Sequence, residues 1–120
     1  MGAIKHLLSE VAWGELDYLL VDLPPGTDDE PLTVFQLLPD ANGIVIVTIP
    51  SEVSGDVVRK AVTFARMLNV PILGIVENMS GLICPHCGEE IEVFKGGVGR
   101  RVAEDMGVPF LGSIPIDLRI

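Results

Sequence analysis

The sequence predicts an α/β fold, a parallel sheet with flanking helices. Three observations carry that expectation. Mainly apolar runs of strand length recur at residues 18–21, 43–49, 72–76 and 110–114, and such runs suit strands buried on both faces, which is the parallel case. Segments with apolar residues at helical spacing lie between them, and strand–helix alternation is the signature of a parallel sheet with crossover helices. The chain has 120 residues, 48% of them hydrophobic, which is enough for one domain with a core of its own.

Each element follows from local chemistry. Residues 3–11 read as a short helix that stops near Trp13-Gly14, with His6 on its solvated face. Trp13 and Tyr18 are expected to pack. The first strand, residues 18–21, ends at Asp22, and Pro24-Pro25-Gly26 forces a loop. Asp28, Asp29 and Glu30 before Pro31 suit a first helical turn, where acids meet the positive end of the dipole, and that helix runs to about Leu38. The second strand covers residues 43–49. Ser51 or Ser54 caps the following helix, whose inner face is Val57, Val58, Ala61, Val62, Ala65 and Leu68. The third strand, residues 72–76, ends at Glu77-Asn78. A cysteine loop over residues 79–90, a helix over 99–106 and a last strand over 110–114 complete a single domain of residues 1–120.

Charge and composition exclude several functions. With 17 acids against 8 bases, the net charge is -9, which leaves no basic footprint for nucleic acid or anionic lipid. The longest apolar run is too short to cross a bilayer. The first thirteen residues do not read as a signal peptide, and His6 stands where a myristoylation site needs Ser or Thr. Two closely spaced cysteines without a disulfide framework suit a reducing cytoplasm.

Those two cysteines carry the most chemistry. Cys84-Pro85-His86-Cys87-Gly88 points two thiols at one place, as a metal or cluster requires, although CxxC is also the spacing of a redox dithiol. Zinc and [4Fe-4S] sites take four ligands, and no second cysteine pair exists here. Either His86 and a neighbour complete the set, or a second copy of the chain does; the half-site points to a dimer around a shared metal centre. The other polar residues cluster by topology. In parallel sheets ligands bind beyond the carboxyl ends of the strands, and Asp22, residues 50–52, Asn78 and residues 115–117 all follow predicted strands. An acid ending a buried strand before a Gly loop suits magnesium–nucleotide chemistry, yet Asp-x-Pro-Pro-Gly is also plain turn chemistry. Lys95-Gly96-Gly97-Val98-Gly99-Arg100 imitates a phosphate loop, but Arg100 and Arg101 stand where Lys and a hydroxyl residue belong. It reads as a glycine turn leading into a helix.

Together these segments resemble a known family. Residues 17–27, with Asp22 and the Pro-Pro-Gly turn, resemble the Walker B and switch region of Mrp/ApbC-type ATPases, within the MinD/ParA and nitrogenase iron-protein group of deviant phosphate-loop NTPases. Glu77-Asn78-Met79-Ser80, the cysteine segment, and residues 108–117 resemble its asparagine, cysteine and C-terminal strand motifs. The resemblance implies a partial P-loop NTPase domain of the Rossmann-like three-layer kind. It implies Asp22 as the acid near magnesium, and Gly26, Thr27 and Asp28 as the switch loop that reads the γ-phosphate, with Asp28 a candidate for orienting water. It implies Asn78 on one side of an adenine base, with Pro115 and Asp117 on the other. It implies Cys84 and Cys87 as ligands of a [4Fe-4S] cluster bridged across a homodimer and passed to apo iron–sulfur proteins, coupled to ATP.

The family's phosphate loop, with its two lysines, is not in this sequence. ATP with magnesium is therefore expected only where that N-terminal half is supplied, and hydrolysis by this chain alone is expected to be poor or nil. Two other readings stay open: a zinc-bridged structural dimer without ATP chemistry, and a fragment of a MinD/ParA-like partitioning ATPase. The cysteine pair and the acidic surface argue against the second.

Overall fold

A computed structural model describes residues 2–25 and 29–120. Gly26, Thr27 and Asp28 lie outside the described residues. The chain divides into two compact units, residues 1–41 and 42–120.

The first unit holds α1 (Gly2–Glu10) and α2 (Asp29–Leu37). No residue of α1 is buried; His6 is exposed and its Nδ1 lies 3.1 Å from Glu10 Oε1, one helical turn on. Pro31, Thr33 and Val34 are buried. The strand expected at residues 18–21 does not form. Tyr18 is 85% and Leu20 91% exposed, so Tyr18 does not pack, and half-exposed Trp13 makes only a 3.2 Å hydrogen bond from its indole N–H to the Leu7 carbonyl. A parallel strand exists only by pairing, and among the described residues nothing pairs with this segment. Apolar composition therefore did not make a strand.

The second unit is the α/β sheet. Its elements are β1 (Ile44–Thr48), α3 (Glu52–Met67), β2 (Ile72–Ile83), β3 (Glu90–Ile91), α4 (Val98–Met106) and β4 (Phe110–Ile116). β2 is central: β1 and β4 both pair with it in parallel, and β3 pairs antiparallel with its far end. The helices α3 and α4 supply the two crossovers that parallel neighbours need. They bury Val58, Val62, Val98, Val102 and Ala103 against Ile46 and Ile75. Val62 and Ile75 are fully buried, and each such side chain contributes about 1.5–3 kcal/mol by leaving water. Polar contacts tie the two helices outside the core: Arg59 to Asp105 at 2.7 Å, Arg101 to Glu52, and Arg66 to the Met106 carbonyl.

Several boundaries differ from expectation. β2 continues seven residues past Val76 because β3 and β4 keep pairing with it. β4 runs on through Pro115, which is tolerated in a strand with one partner because proline cannot donate to a second ladder. Ser51 stands at the start of α3 but makes no side-chain cap. Val57 is 44% exposed, turned from the face that buries Val58, Val62 and Ala65. The sheet surface opposite the core carries Val45, Val47, Leu73 and Leu111, which are 47–62% exposed.

Candidate metal centre and ligand edge

The cysteine segment is the tip of a β-hairpin. Leu82 faces Ile91 and Ile83 faces Glu90 across the β2–β3 pair. The next rung is the Cys84 N–H, which donates to the Glu89 carbonyl at 2.8 Å, and the Gly88 N–H then closes the turn on the Cys84 carbonyl at 2.9 Å. Gly88 sits at φ +76°, a conformation that favours glycine. Pro85 presets the turn with its fixed φ. The folded turn points amides at sulfur. The Cys87 and His86 amides, then the Cys87 thiol, hold the Cys84 thiol below the ordinary 9.0 against an upward push from desolvation, with the Gly88 amide adding the least. Hydrogen bonds to a thiolate favour the charged form, and the thiolate is the metal ligand.

Both cysteines are free, Cys84 half-buried and Cys87 exposed. Among the described residues no three His, Cys, Asp or Glu side chains gather to hold a metal. His86 is exposed in the same turn, and it joins no ligand cluster. The donor set is two soft thiols, one biased toward thiolate, which suits zinc or an iron–sulfur cluster and supplies half of either.

The carboxyl edge of the sheet is set by β2 and β4. Asn78 lies opposite Ile114, one residue from Pro115, so the fold brings Asn78, Pro115 and Asp117 to one edge. Asp117, just beyond β4, is clamped by Arg119: Nη2 lies 2.6 Å from Oδ2, Nε 2.9 Å from Oδ1, and the Arg119 amide 3.0 Å from Oδ1. The side-chain bonds, then the backbone one, lower the Asp117 carboxyl from 3.8 to about 2. A depressed carboxyl adds stability at pH above its unfolded value and loses it as pH falls toward the folded one, here from about 4 to about 2. A carbon-13 titration of the Asp117 carboxyl is expected to show a midpoint near 2; a midpoint near 4 would mean that the clamp is open in solution. Asp22 is exposed, outside any helix or strand, in the first unit.

Glu77 is a residue that sequence reasoning missed. It is 2% exposed. Its Oε2 accepts the Gly99 N–H at 2.7 Å and its Oε1 the Gly97 N–H at 3.3 Å. These amides open α4, so the carboxylate fills the anion seat that every helix start presents. Gly99 permits the approach, since a Cβ there would lie 3.1 Å from Glu77 Cβ and 3.2 Å from a Thr48 methyl. Arg100 stacks on Phe110, 4.7 Å from the ring centroid. The glycine turn is thus filled from inside by the chain's own acid. The available signal was a lone acid inside an apolar run, upstream of a Gly-rich turn.

A mainly parallel α/β sheet whose central strand runs into a hairpin with two free cysteines defines an α/β protein that presents a pair of thiols at one turn. The family description "ParA: NUBPL iron-transfer P-loop NTPase" matches residues 1–120, and the chain belongs to this family. It is 54% identical over 118 residues to an iron-sulfur cluster carrier protein of Methanocaldococcus jannaschii, covering 98% of this chain and 41% of that protein. It is 55% identical to the one from Saccharolobus solfataricus, covering 96% of this chain and 39% of that protein. Among solved structures it resembles the nucleotide-binding protein in complex with ADP from Archaeoglobus fulgidus, with a TM-score of 0.83 and 49% identity over 98% of this chain and 48% of that one. The chain thus spans about two fifths of the length of the curated relatives it matches.

Proposed function

We propose that this chain is an iron–sulfur cluster carrier module that holds a [4Fe-4S] cluster between Cys84 and Cys87 of two copies and hands it to apo iron–sulfur proteins. The observation that carries the reading is the hairpin itself, with two thiols and an amide-stabilised Cys84, in a chain of an iron-transfer family. The cluster is cargo. The two thiolates hold it, and the exposed position of Cys87 leaves room for acceptor thiolates to replace them one at a time. Such exchange swaps Fe–S(Cys) bonds without changing any oxidation state.

Nucleotide belongs to the same reading at the level of the whole NTPase. Residues 1–120 form part of one nucleotide-binding domain. Asn78, Pro115 and Asp117 flank the base, Gly26 and Thr27 sense the terminal phosphate, and Asp22 and Asp28 serve magnesium and the attacking water. The phosphate-binding lysines must come from elsewhere, so turnover by this chain alone is expected to be negligible. No helix among the described residues is long and apolar enough to cross a membrane. The net charge of -9 disfavours nucleic acid, and free thiols suit a reducing cytoplasm.

The test is iron, sulfide and zinc analysis with a visible spectrum, on protein reconstituted without oxygen. About two irons and two sulfides per chain, with a broad visible band, are expected for a [4Fe-4S] cluster shared by two chains. About half a zinc per chain and no such band would replace the carrier with a zinc-bridged structural dimer. Absence of both iron and zinc would remove the reading.

A further inference from the structure

We propose that Asn78 and Met79 are the positioning residues of the cysteine hairpin: the Asn78 side chain fixes a left-handed residue inside β2 and so aims the strand's last segment. The inference rests on reading the hairpin as the metal seat. Two non-glycine residues among those described have positive φ, Asn69 and Met79, both at +55°. Asn69 lies in the turn after α3, where asparagine takes this conformation readily. Met79 lies within a strand, and a side chain with a Cβ resists the left-handed region unless its surroundings enforce it.

Three observations place the bend. The β1 ladder stops at Thr48 opposite Glu77. Against β4 the register jumps, so that Asn78 to Leu82 on β2 matches only Ile114 to Ile116. Residues 79–81 therefore leave the ladder between two paired stretches. Met79 is 46% exposed, so it is not a core residue. A local bond braces it: Asn78 Oδ1 accepts the Met79 N–H at 2.9 Å.

The bend matters because β2 is a lever. Five residues separate Met79 from Cys84, about 17 Å at strand rise, so a swing of about 10° moves the thiol by about 3 Å. Metal–ligand distances tolerate about 0.2 Å. Two hairpins that must meet around one centre therefore need this bend fixed in each.

The experiment uses the whole chain and three variants, Asn78→Ala, Asn78→Asp and Met79→Val, with amide hydrogen exchange on metal-free protein and a zinc titration as readouts. Asn78→Ala is expected to speed exchange of the Met79 and Cys84 amides at least about tenfold and to weaken zinc binding about tenfold. The amides of α3 and α4 should keep their protection. Asn78→Asp retains the acceptor oxygen and should match the wild type in both readouts. Met79→Val leaves Asn78 intact but disfavours positive φ, and should reproduce the Asn78→Ala pattern. Wild-type behaviour of Asn78→Ala, failure of Asn78→Asp to rescue, or an equal loss of protection throughout the sheet unit would overturn the proposal. Nucleotide enters neither readout. A protein that loads no cluster yet shows this exchange pattern would sink the carrier reading and leave the positioning role standing.

Discussion

Glu77→Ala is expected to lower the unfolding free energy of the sheet unit by about 2–4 kcal/mol, from lost charge-assisted hydrogen bonds, exposed donors and a cavity. The carboxylate is almost fully buried and serves two amides at once. Its removal orphans the Gly97 and Gly99 donors at the start of α4, where the glycine turn offers no side-chain cap. Glu77→Gln keeps an acceptor but gives up the negative charge opposite the helix dipole, and about 1–2 kcal/mol is expected from loss of charge assistance. Urea unfolding followed by circular dichroism checks both, with the midpoint falling and the slope unchanged. An alanine variant within about 0.5 kcal/mol of the wild type, the range of ordinary surface substitutions, would show that water replaces the carboxylate without cost.

Cys84→Ser and Cys87→Ser are each expected to weaken metal or cluster binding more than about 100-fold, beyond the 10–100-fold typical of lost outer-shell partners. A serine hydroxyl is a harder donor than the thiolate it replaces, and with two thiols per chain each substitution removes half of that chain's ligand set. If two chains share the metal, both variants should sediment as monomers under conditions where the loaded wild type is a dimer. Metal-loaded dimers in both variants would place the interface away from the hairpin. The hairpin amides favour the Cys84 thiolate, so ligation by Cys84 would release less proton than an ordinary thiol.

The sheet unit was readable because period and composition agree there. Alternation of apolar runs with helical spacing located β1, α3, α4 and β4 to within a few residues. The cysteine segment was expected as a loop over residues 79–90, whereas β2 runs on to Ile83 and leaves a shorter turn. Three features were not legible, each for a physical reason. Residues 18–21 are as apolar as β1, but a strand is a relation between two segments, and one segment's sequence cannot display its partner. The extension of β2 to Ile83 depends on β3, a pairing of two residues on each side with no periodic signal of its own. The role of Glu77 depends on a contact across 22 positions of sequence, so from its neighbours it reads only as an acid at a strand end. For the candidate site, the strand register sets Asn78 beside the end of β4, whereas the Met79 bend is a backbone conformation that methionine does not announce.

The hairpin also has a consequence for the order in which the molecule forms. β1–β2 and β2–β4 are parallel and close only after whole crossover helices have been threaded, and distant pairing is slow because loop closure comes before any reward. The β2–β3 rung joins Ile83 to Glu90 across a short turn, and hairpins of that kind close in about 1–10 μs. The two thiols are thus neighbours early, before the sheet that later aims them exists. Bringing the thiols together and aiming them are therefore separable, the first governed by a few local residues and the second by the slowest part of the fold.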